Sequence, residues 1–209
     1  MKQVVLASFN HHKIHEFGLI DPHLPLVRPD FYSITSDQSF NETGTSFFEN
    51  AFGKAQHMAQ LIFNQTGTWV PVLADDSGVC VESLDGAPGI YSARFGHELP
   101  NPPKTDQERA QYLLKCLENQ QNRNAYYVCN LVCYFGPNTY LSSQEIWEGT
   151  VSTSMSQGTT GFGYDPIMII PPDNRCVAEI TEAEKARISH RAKAYNVMKS
   201  GMHTILESK

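Results

Sequence analysis

The sequence lacks the long hydrophobic segments that export and membrane insertion require. No apolar run approaches the ~20 residues of a membrane-spanning helix. Met1, Lys2 and Gln3 lead directly into the apolar residues 4–7, a stretch too short for the hydrophobic region of a signal peptide. We therefore expect a cytoplasmic protein with no membrane partner.

Positive charge is also scarce. The chain has 16 Lys and Arg residues against 22 Asp and Glu residues, which gives a formal net charge of -6. Nucleic acids and anionic membranes are bound by basic surfaces. The balance argues against a nucleic-acid polymer as partner, and it permits a small anion where cations cluster locally.

The few cysteines show no pairing pattern. There are five, at Cys80, Cys116, Cys129, Cys133 and Cys176, mostly within apolar stretches, as is typical of reduced core thiols. Cys129 and Cys133 share one face of a predicted strand, but no second pair or histidine cluster accompanies them. A structural zinc site is therefore not expected.

Both glycine-rich phosphate fingerprints are missing as well. In their place, a buried strand at residues 4–7 is followed by a polar loop, residues 8–13, and a short helix through Glu16 and Phe17. Unpaired N–H groups at a helix start favour an anion, and Lys13 would lie within reach of a phosphate oxygen. This signal is weak by itself, and the neighbouring histidines also fit a solvated loop.

The composition and the apolar patterns of the sequence predict a globular α/β protein. Its 209 residues, 41% hydrophobic and 18% charged, fit one domain or two closely merged lobes. Ser46 and Glu49 predict the start of a long helix that runs to about Phe63. A strong strand at residues 126–135 followed by antiparallel partners predicts a mixed sheet with helices on its faces.

The most informative stretch is residues 72–78, where an apolar strand leads into Asp75, Asp76, Ser77 and Gly78. Acids at the end of a strand can bind a divalent cation that an anionic substrate completes. Adjacent strand residues point to opposite faces, so the two aspartates share one ion only if the chain bends at Ser77 and Gly78. Otherwise one binds metal and the other handles a proton. The alternative is an ordinary turn.

A second informative loop lies at residues 158–166, where glycines surround Phe162. This pattern favours close approach of the backbone to a ligand, with an aromatic ring available for stacking. The alternative is a hairpin loop with Phe162 turned inward. Lys185, His190 and Arg191 follow at a junction of two predicted helices, where isolated cations would be surface charges.

Taken together and in order, these stretches resemble the inosine/xanthosine triphosphate pyrophosphatase family over nearly the whole chain. The matching segments are Ser8-Phe9-Asn10-His11-His12-Lys13, Glu42-Thr43-Gly44, Phe47-Phe48-Glu49-Asn50-Ala51 with Lys54-Ala55, Ala74-Asp75-Asp76-Ser77-Gly78, Gly86-Ala87-Pro88-Gly89-Ile90-Tyr91-Ser92-Ala93-Arg94, Gly161-Phe162-Gly163-Tyr164-Asp165-Pro166, and Glu184-Lys185 with Ser189-His190-Arg191.

The resemblance implies a mixed α/β fold with an elongated central sheet flanked by helices and two lobes with a cleft between them. It also implies a single nucleotide triphosphate pyrophosphatase domain over residues 1–209, usually in a homodimer. The implied activity is magnesium-dependent hydrolysis of ITP, dITP and XTP to the monophosphate and pyrophosphate.

The resemblance also suggests a role for each site residue. Asp76 would be the catalytic base, and Mg²⁺ would be held by Glu42, Asp75 and Asp76. The phosphates would be clamped by Lys13, Lys54 and Arg94, assisted by the loop Ser8, Phe9, Asn10, His11, His12 and Lys13. The sugar and base would be held by Ser77, Phe162, Gly163, Tyr164, Asp165, Lys185, His190 and Arg191.

Two residues depart from the family pattern. Phe9 stands where a small or hydroxyl residue is usual, and Asn41 stands where many members have an acid. Two other interpretations stay open at this stage. One is a Maf-like pyrophosphatase acting on modified pyrimidines, and the other is a nucleotide-binding sensor without turnover. The retained acids Glu42, Asp75 and Asp76 argue against the sensor, because binding alone needs no water-activating carboxylate.

Overall fold

The computed structural model describes residues 3–172 and 174–208 and shows a mixed α/β chain. Short 3-10 helices connect several of its elements. The strands are β1 (Val4–Leu6), β2 (Leu26–Val27), β3 (Val72–Val81), β4 (Asn124–Gly136), β5 (Thr139–Val151), β6 (Met168–Ile170) and β7 (Arg175–Cys176). The α-helices are α1 (His11–Ile20), α2 (Phe47–Thr66), α3 (Asp106–Cys116), α4 (Glu182–Ile188) and α5 (His190–Ser208).

The strands form one seven-stranded sheet in the order β2-β1-β3-β4-β5-β6-β7. β1 runs parallel to both β2 and β3, whereas β6 is antiparallel to β5 and to β7. The predicted mixed sheet with flanking helices is therefore confirmed. No helix among the described residues has both the length and the apolar character needed to cross a membrane.

The chain divides into two compact units. Unit 1 comprises residues 1–76, 129–145 and 191–209, and unit 2 comprises residues 77–128 and 146–190. The boundary crosses β3 between Asp76 and Ser77, and it falls between His190 and Arg191 at the start of α5. The single-domain assignment and the cleft stay predictions.

In unit 1, helices cover both faces of the strands. Alternate residues of β1 and β3 pack into two separate apolar clusters, because successive strand side chains point to opposite faces. Leu6 and Leu73 join the cluster that contains residues of α1 and α5. Val5 and Ala74 join the cluster built on the buried face of α2. Each face of β3 therefore has a different set of helices above it.

Unit 2 has one apolar core. Ala110 and Leu113 of α3 pack there with Tyr127 of β4 and Trp147 of β5. α3 begins with a capping box, in which Thr105 accepts from the Glu108 backbone N–H and Glu108 accepts from that of Thr105. This core supports the loop that follows β5.

The structure excludes the turn that was the alternative for residues 75–78, because β3 continues through them to Val81 without a bend. A smaller difference concerns the end of one helix: α2 runs on to Thr66, beyond its predicted end at about Phe63.

Candidate active site

The uninterrupted β3 places Asp75 and Asp76 on opposite faces of the sheet. Asp75 shares its face with Leu73 and the α1–α5 cluster, and Asp76 shares its face with Ala74 and the α2 cluster. The two carboxylates therefore have different partners, although they are adjacent in sequence. Both are buried, with exposed fractions of 2% and 6%.

Asp75 is surrounded by cations. Lys13 Nζ lies 3.0 Å from both carboxylate oxygens, and Arg191 donates to Oδ2 from Nη2 at 2.9 Å and from Nε at 3.3 Å. Arg191 is itself 2% exposed, donates also to Glu16, and lies over the ring of Phe17. The buried guanidinium therefore links Asp75 to Glu16 of α1 through hydrogen bonds to both carboxylates.

Asp76 is held by helix α2. Asn50 Nδ2 donates to Oδ2 at 3.3 Å, and Lys54 Nζ donates to Oδ1 at 2.7 Å. The same ammonium lies 2.7 Å from Glu42 Oε1, so one cation stands between two carboxylates. We call these eight side chains of unit 1 the ionic group; its members are Lys13, Glu16, Glu42, Asn50, Lys54, Asp75, Asp76 and Arg191.

These surroundings shift the pKa values of the two aspartates in opposite directions. Burial raises the pKa of the Asp76 carboxyl; Lys54 opposes this shift and Glu42 adds to it, and the net direction is upward. Burial also acts to raise the pKa of Asp75, but Lys13, Arg191 and Lys54 outweigh it and hold that pKa well below its usual range. Adjacent carboxyls with diverging proton affinities are suited to different roles, and Asp76 is the better proton acceptor.

The predicted phosphate loop leads into α1 as expected. Asn10 caps the helix by accepting from the His12 N–H at 2.9 Å, and Ser8 Oγ accepts from the Asn10 N–H at 3.2 Å. His11 Nδ1 lies 3.3 Å from Arg28 Nη1. Phe9 is partly buried against the α2 cluster. His12 is exposed, and Lys13 is the member of this loop that reaches the ionic group.

In unit 2, the glycine loop is built around Asp165. This carboxylate, 2% exposed, accepts from Tyr127 Oη at 2.8 Å, Lys185 Nζ at 2.6 Å and the Phe162 N–H at 2.8 Å. Gly161 has φ +78°, and a Cβ there would come within 2.0 Å of Asp165 Oδ2. Glycine is required at this position because both its conformation and its closeness to the carboxylate exclude a side chain.

Aromatic rings surround this ion pair. His190 stacks on Tyr127 with ring centroids 4.7 Å apart and an interplanar angle of 8°, and Trp147 stacks on His190 at 6.3 Å. The Lys185 ammonium lies 5.0 Å from the centre of the Phe162 ring. We call these six side chains of unit 2 the aromatic group; its members are Tyr127, Trp147, Phe162, Asp165, Lys185 and His190.

The remaining predicted residues of unit 2 lie in its loops and in β3. The Gly163 N–H donates to Asp106 Oδ2 at 2.9 Å, and buried Tyr164 donates from its hydroxyl to the Ser92 carbonyl at 2.8 Å. Ser77 is half-buried in β3. Arg94 ends a 3-10 helix with its guanidinium 5.1 Å from the centre of the Tyr91 ring.

The ionic group fits a divalent metal ion in part. Its charged members are four carboxylates (Glu16, Glu42, Asp75 and Asp76) and three cations (Lys13, Lys54 and Arg191). Glu42 and Asp76 already share one cation, the ammonium of Lys54, and Mg²⁺ is commonly bound by one or two carboxylates plus substrate phosphates.

The set of three acids on one ion stays a prediction, and Asp75 lies on the opposite face of β3 from Asp76. Within residues 3–172 and 174–208, no group of three or more His, Cys, Asp or Glu side chains is arranged to hold a metal.

Sequence reasoning did not place four side chains of these groups. The sequence indicates Asn50 only as part of the matching segment 47–51, and Glu16 only as a helix residue, although Glu16 lies one turn after Lys13. Tyr127 and Trp147 have the pattern of core aromatics on strands. A charged or amide residue on the buried side of a helix is the one signal that would have identified Asn50.

The chain is similar to known proteins over nearly its whole length. The family model described as the Ham1 family matches residues 4–200. The dITP/XTP pyrophosphatase of Vibrio parahaemolyticus is 40% identical over 203 residues, with 93% of each chain covered, and that of Chromobacterium violaceum is 42% identical over 197 residues, with 92% of each covered.

Solved structures of similar fold are also Ham1 proteins. A Ham1 protein from Coxiella burnetii has a TM-score of 0.81 at 34% identity and covers 98% of this chain and 100% of its own. The Staphylococcus aureus Ham1 protein has a TM-score of 0.80 at 32% identity, covering 97% and 99%. The chain belongs to the Ham1 family.

Proposed function

We propose that the protein hydrolyses deaminated purine nucleoside triphosphates, namely ITP, dITP and XTP, to the nucleoside monophosphate and pyrophosphate. The relatives named dITP/XTP pyrophosphatases support this activity. The observation that carries the chemistry is the contrast between Asp75 and Asp76, one neutralised by buried cations and the other left with a raised pKa.

The ionic group performs the hydrolysis. Asp76 accepts the proton of a water molecule whose oxygen forms a bond to the α-phosphorus. The bond from that phosphorus to the oxygen bridging to the β-phosphorus breaks, and pyrophosphate leaves. Lys13 and Lys54 bind phosphate oxygens, and the N–H groups at the start of α1 assist them.

We propose Mg²⁺ as the metal ion, with Glu42 and Asp76 as its protein ligands. When bound, the ion neutralises charge that develops on the phosphate oxygens. Asp75 has a different role in this assignment. With Lys13 and Arg191 on its oxygens, it fixes the position of Lys13.

The aromatic group supplies recognition. Phe162 offers a ring for stacking on the purine. Lys185 lies over that ring as a hydrogen-bond donor, and His190, which stacks on Tyr127, offers a ring nitrogen. Arg191 was predicted to contact the base, but its guanidinium lies with Asp75 and Glu16 in unit 1, so we assign it to the ionic group. Ser77, Gly163, Tyr164 and Arg94 stay predicted substrate contacts. A cytoplasmic location and a homodimer are likewise proposals.

The test is the release of pyrophosphate and monophosphate from ITP, XTP, GTP and ATP, with magnesium chloride and with a chelator. We expect high specificity constants for ITP and XTP, a much lower one for GTP, the lowest for ATP, and no turnover without metal. Glu42→Gln should raise the magnesium concentration needed for half-maximal rate. Equal efficiency on ATP and ITP would contradict the substrate assignment, and binding without product would indicate a sensor.

A further inference from the structure

A single buried amide connects the two acids that are proposed to hold the metal. Asn50 has no solvent-exposed surface. Its Oδ1 accepts from the Gly44 N–H at 2.9 Å, and its Nδ2 donates to Asp76 Oδ2 at 3.3 Å. One end of the side chain therefore fixes the loop that carries Glu42, and the other end fixes the catalytic carboxylate.

The loop packs closely on this amide. A Cβ at Gly44 would lie 2.6 Å from Asn50 Oδ1 and 2.8 Å from Glu49 Cβ, so a larger residue would displace the loop from the helix. Glu49 holds the outer side of the same loop, where its carboxylate accepts from the Thr45 N–H at 2.6 Å and from Thr45 Oγ1 at 2.9 Å. Two consecutive residues of α2 thus hold the loop, and Asn50 is the one that also reaches Asp76.

Asn50 and Lys54 lie one helical turn apart on the same side of α2, and each holds a different oxygen of Asp76. Lys54 also contacts Glu42. The separation between the Glu42 and Asp76 carboxylates is therefore set by groups on one rigid helix. Residues that orient a metal's ligands without touching the metal commonly change its affinity when they are replaced.

We propose that Asn50 is a positioning residue that sets the distance and orientation between Glu42 and Asp76 for the metal. The inference rests on the proposed function for the identity of the metal ligands. Its replacement should weaken magnesium binding and lower kcat, and it should leave the discrimination among bases unchanged.

The experiment compares wild type, Asn50→Ala and Asn50→Ser as full-length, nucleotide-free protein titrated with magnesium chloride. The readouts are the magnesium concentration that gives half of the rise in melting temperature, and kcat for ITP at saturating substrate. We expect the half-point to increase about 10- to 100-fold in both Asn50 variants. Asn50→Ser keeps a polar group at the site and is the variant to use if Asn50→Ala does not fold.

The matched control is Glu49→Ala, which loosens the same loop without touching Asp76. It should lower the melting temperature and leave the magnesium half-point close to that of wild type. A double-mutant cycle provides a second check: in the Asp76→Asn background, Asn50→Ala should cause no further loss of kcat, because the two residues act through one contact.

The outcomes separate this inference from the proposed function. If wild type hydrolyses ITP and the Asn50 variants share the half-point of Glu49→Ala, the positioning role is wrong and the activity stands. If wild type hydrolyses no deaminated nucleotide, the proposed activity is wrong, and the magnesium titration of the melting temperature still decides the role of Asn50.

Discussion

The ionic group of unit 1 and the aromatic group of unit 2 balance buried charge in different ways. In the ionic group Asp75 is paired with both Lys13 and Arg191, and Lys54 is shared by Glu42 and Asp76. In the aromatic group one buried carboxylate, Asp165, meets one ammonium, that of Lys185, and the surroundings are rings.

This difference fits the roles that are proposed for the two groups. A carboxylate that shares a cation with a second carboxylate can exchange that cation for a metal ion. The ammonium that is released can then bind a phosphate oxygen. A single buried pair whose carboxylate already accepts three hydrogen bonds has fewer alternatives, so it fixes a shape against which a ring can stack. The proposed function assigns reaction chemistry to the ionic group and recognition to the aromatic group, and the following predictions test that division.

The largest effect is expected in the ionic group. Asp76→Asn keeps the side-chain volume and removes the charge, so turnover of ITP should decrease roughly 100- to 10,000-fold, as is usual when a general base is lost. The measurement is kcat together with a thermal melt that confirms folding. Asp85→Asn, on an exposed turn of unit 2, is the control and should match wild type. Turnover of Asp76→Asn within a factor of a few of wild type would overturn the assignment.

In the aromatic group, loss of charge should affect stability first. Asp165→Asn leaves the Lys185 ammonium buried without its carboxylate, which should cost about 3–5 kcal/mol in the free energy of unfolding. Urea denaturation measures this change. Asp30→Asn breaks the exposed pair with Arg28 and should cost about 0–1 kcal/mol. Equal losses in the two variants would show that the Asp165 pair has no special structural role.

Lys13→Ala tests whether the ionic group binds nucleotides without selecting among their bases. We expect KM to increase about 10- to 100-fold for ITP, XTP and GTP alike, because a charged hydrogen bond to phosphate is lost. The increase should become smaller at high ionic strength. Lys115→Ala, exposed in the last turn of α3, serves as the control. A changed preference between ITP and GTP at unaltered affinity would place Lys13 in the base pocket.

Phe162→Ala should have the smallest effect, about 10-fold in the specificity constant for each nucleotide, since stacking on a ring is worth about 1–3 kcal/mol whatever the base. The order of preference among ITP, XTP, GTP and ATP should not change. The measurement is the same substrate panel, with Phe31→Ala as an exposed aromatic control. A changed order would mean that Phe162 also selects the base.

The sequence predicted the helices and strands better than the contacts between residues that are distant in sequence. The periodicity of α2 and its capping residue Ser46 were sufficient because these signals are local. Residues 75–78 have the composition of a turn, and they remain extended because long-range ion pairs and packing on both faces outweigh local preference. The Asp75–Arg191 contact joins residues 116 positions apart, and no local pattern encodes it.

His190 and Arg191 illustrate the same limit on a smaller scale. They are adjacent in sequence and were assigned one role, since both are possible cations at a helix junction. At the start of α5 their side chains diverge, and one stacks on Tyr127 while the other binds Asp75. Successive helix residues point about 100° apart, so neighbours in sequence need not share a function.

The position of Lys54 between Glu42 and Asp76 has a consequence for the protein when metal is withdrawn. Domains that depend on a metal for folding lose their structure under chelation, because their ligands have no other counter-charge. Here the counter-charge is part of the chain, so a chelator should stop turnover without unfolding the protein. The protein would remain folded through metal shortage and regain activity when metal returns, with no need for refolding.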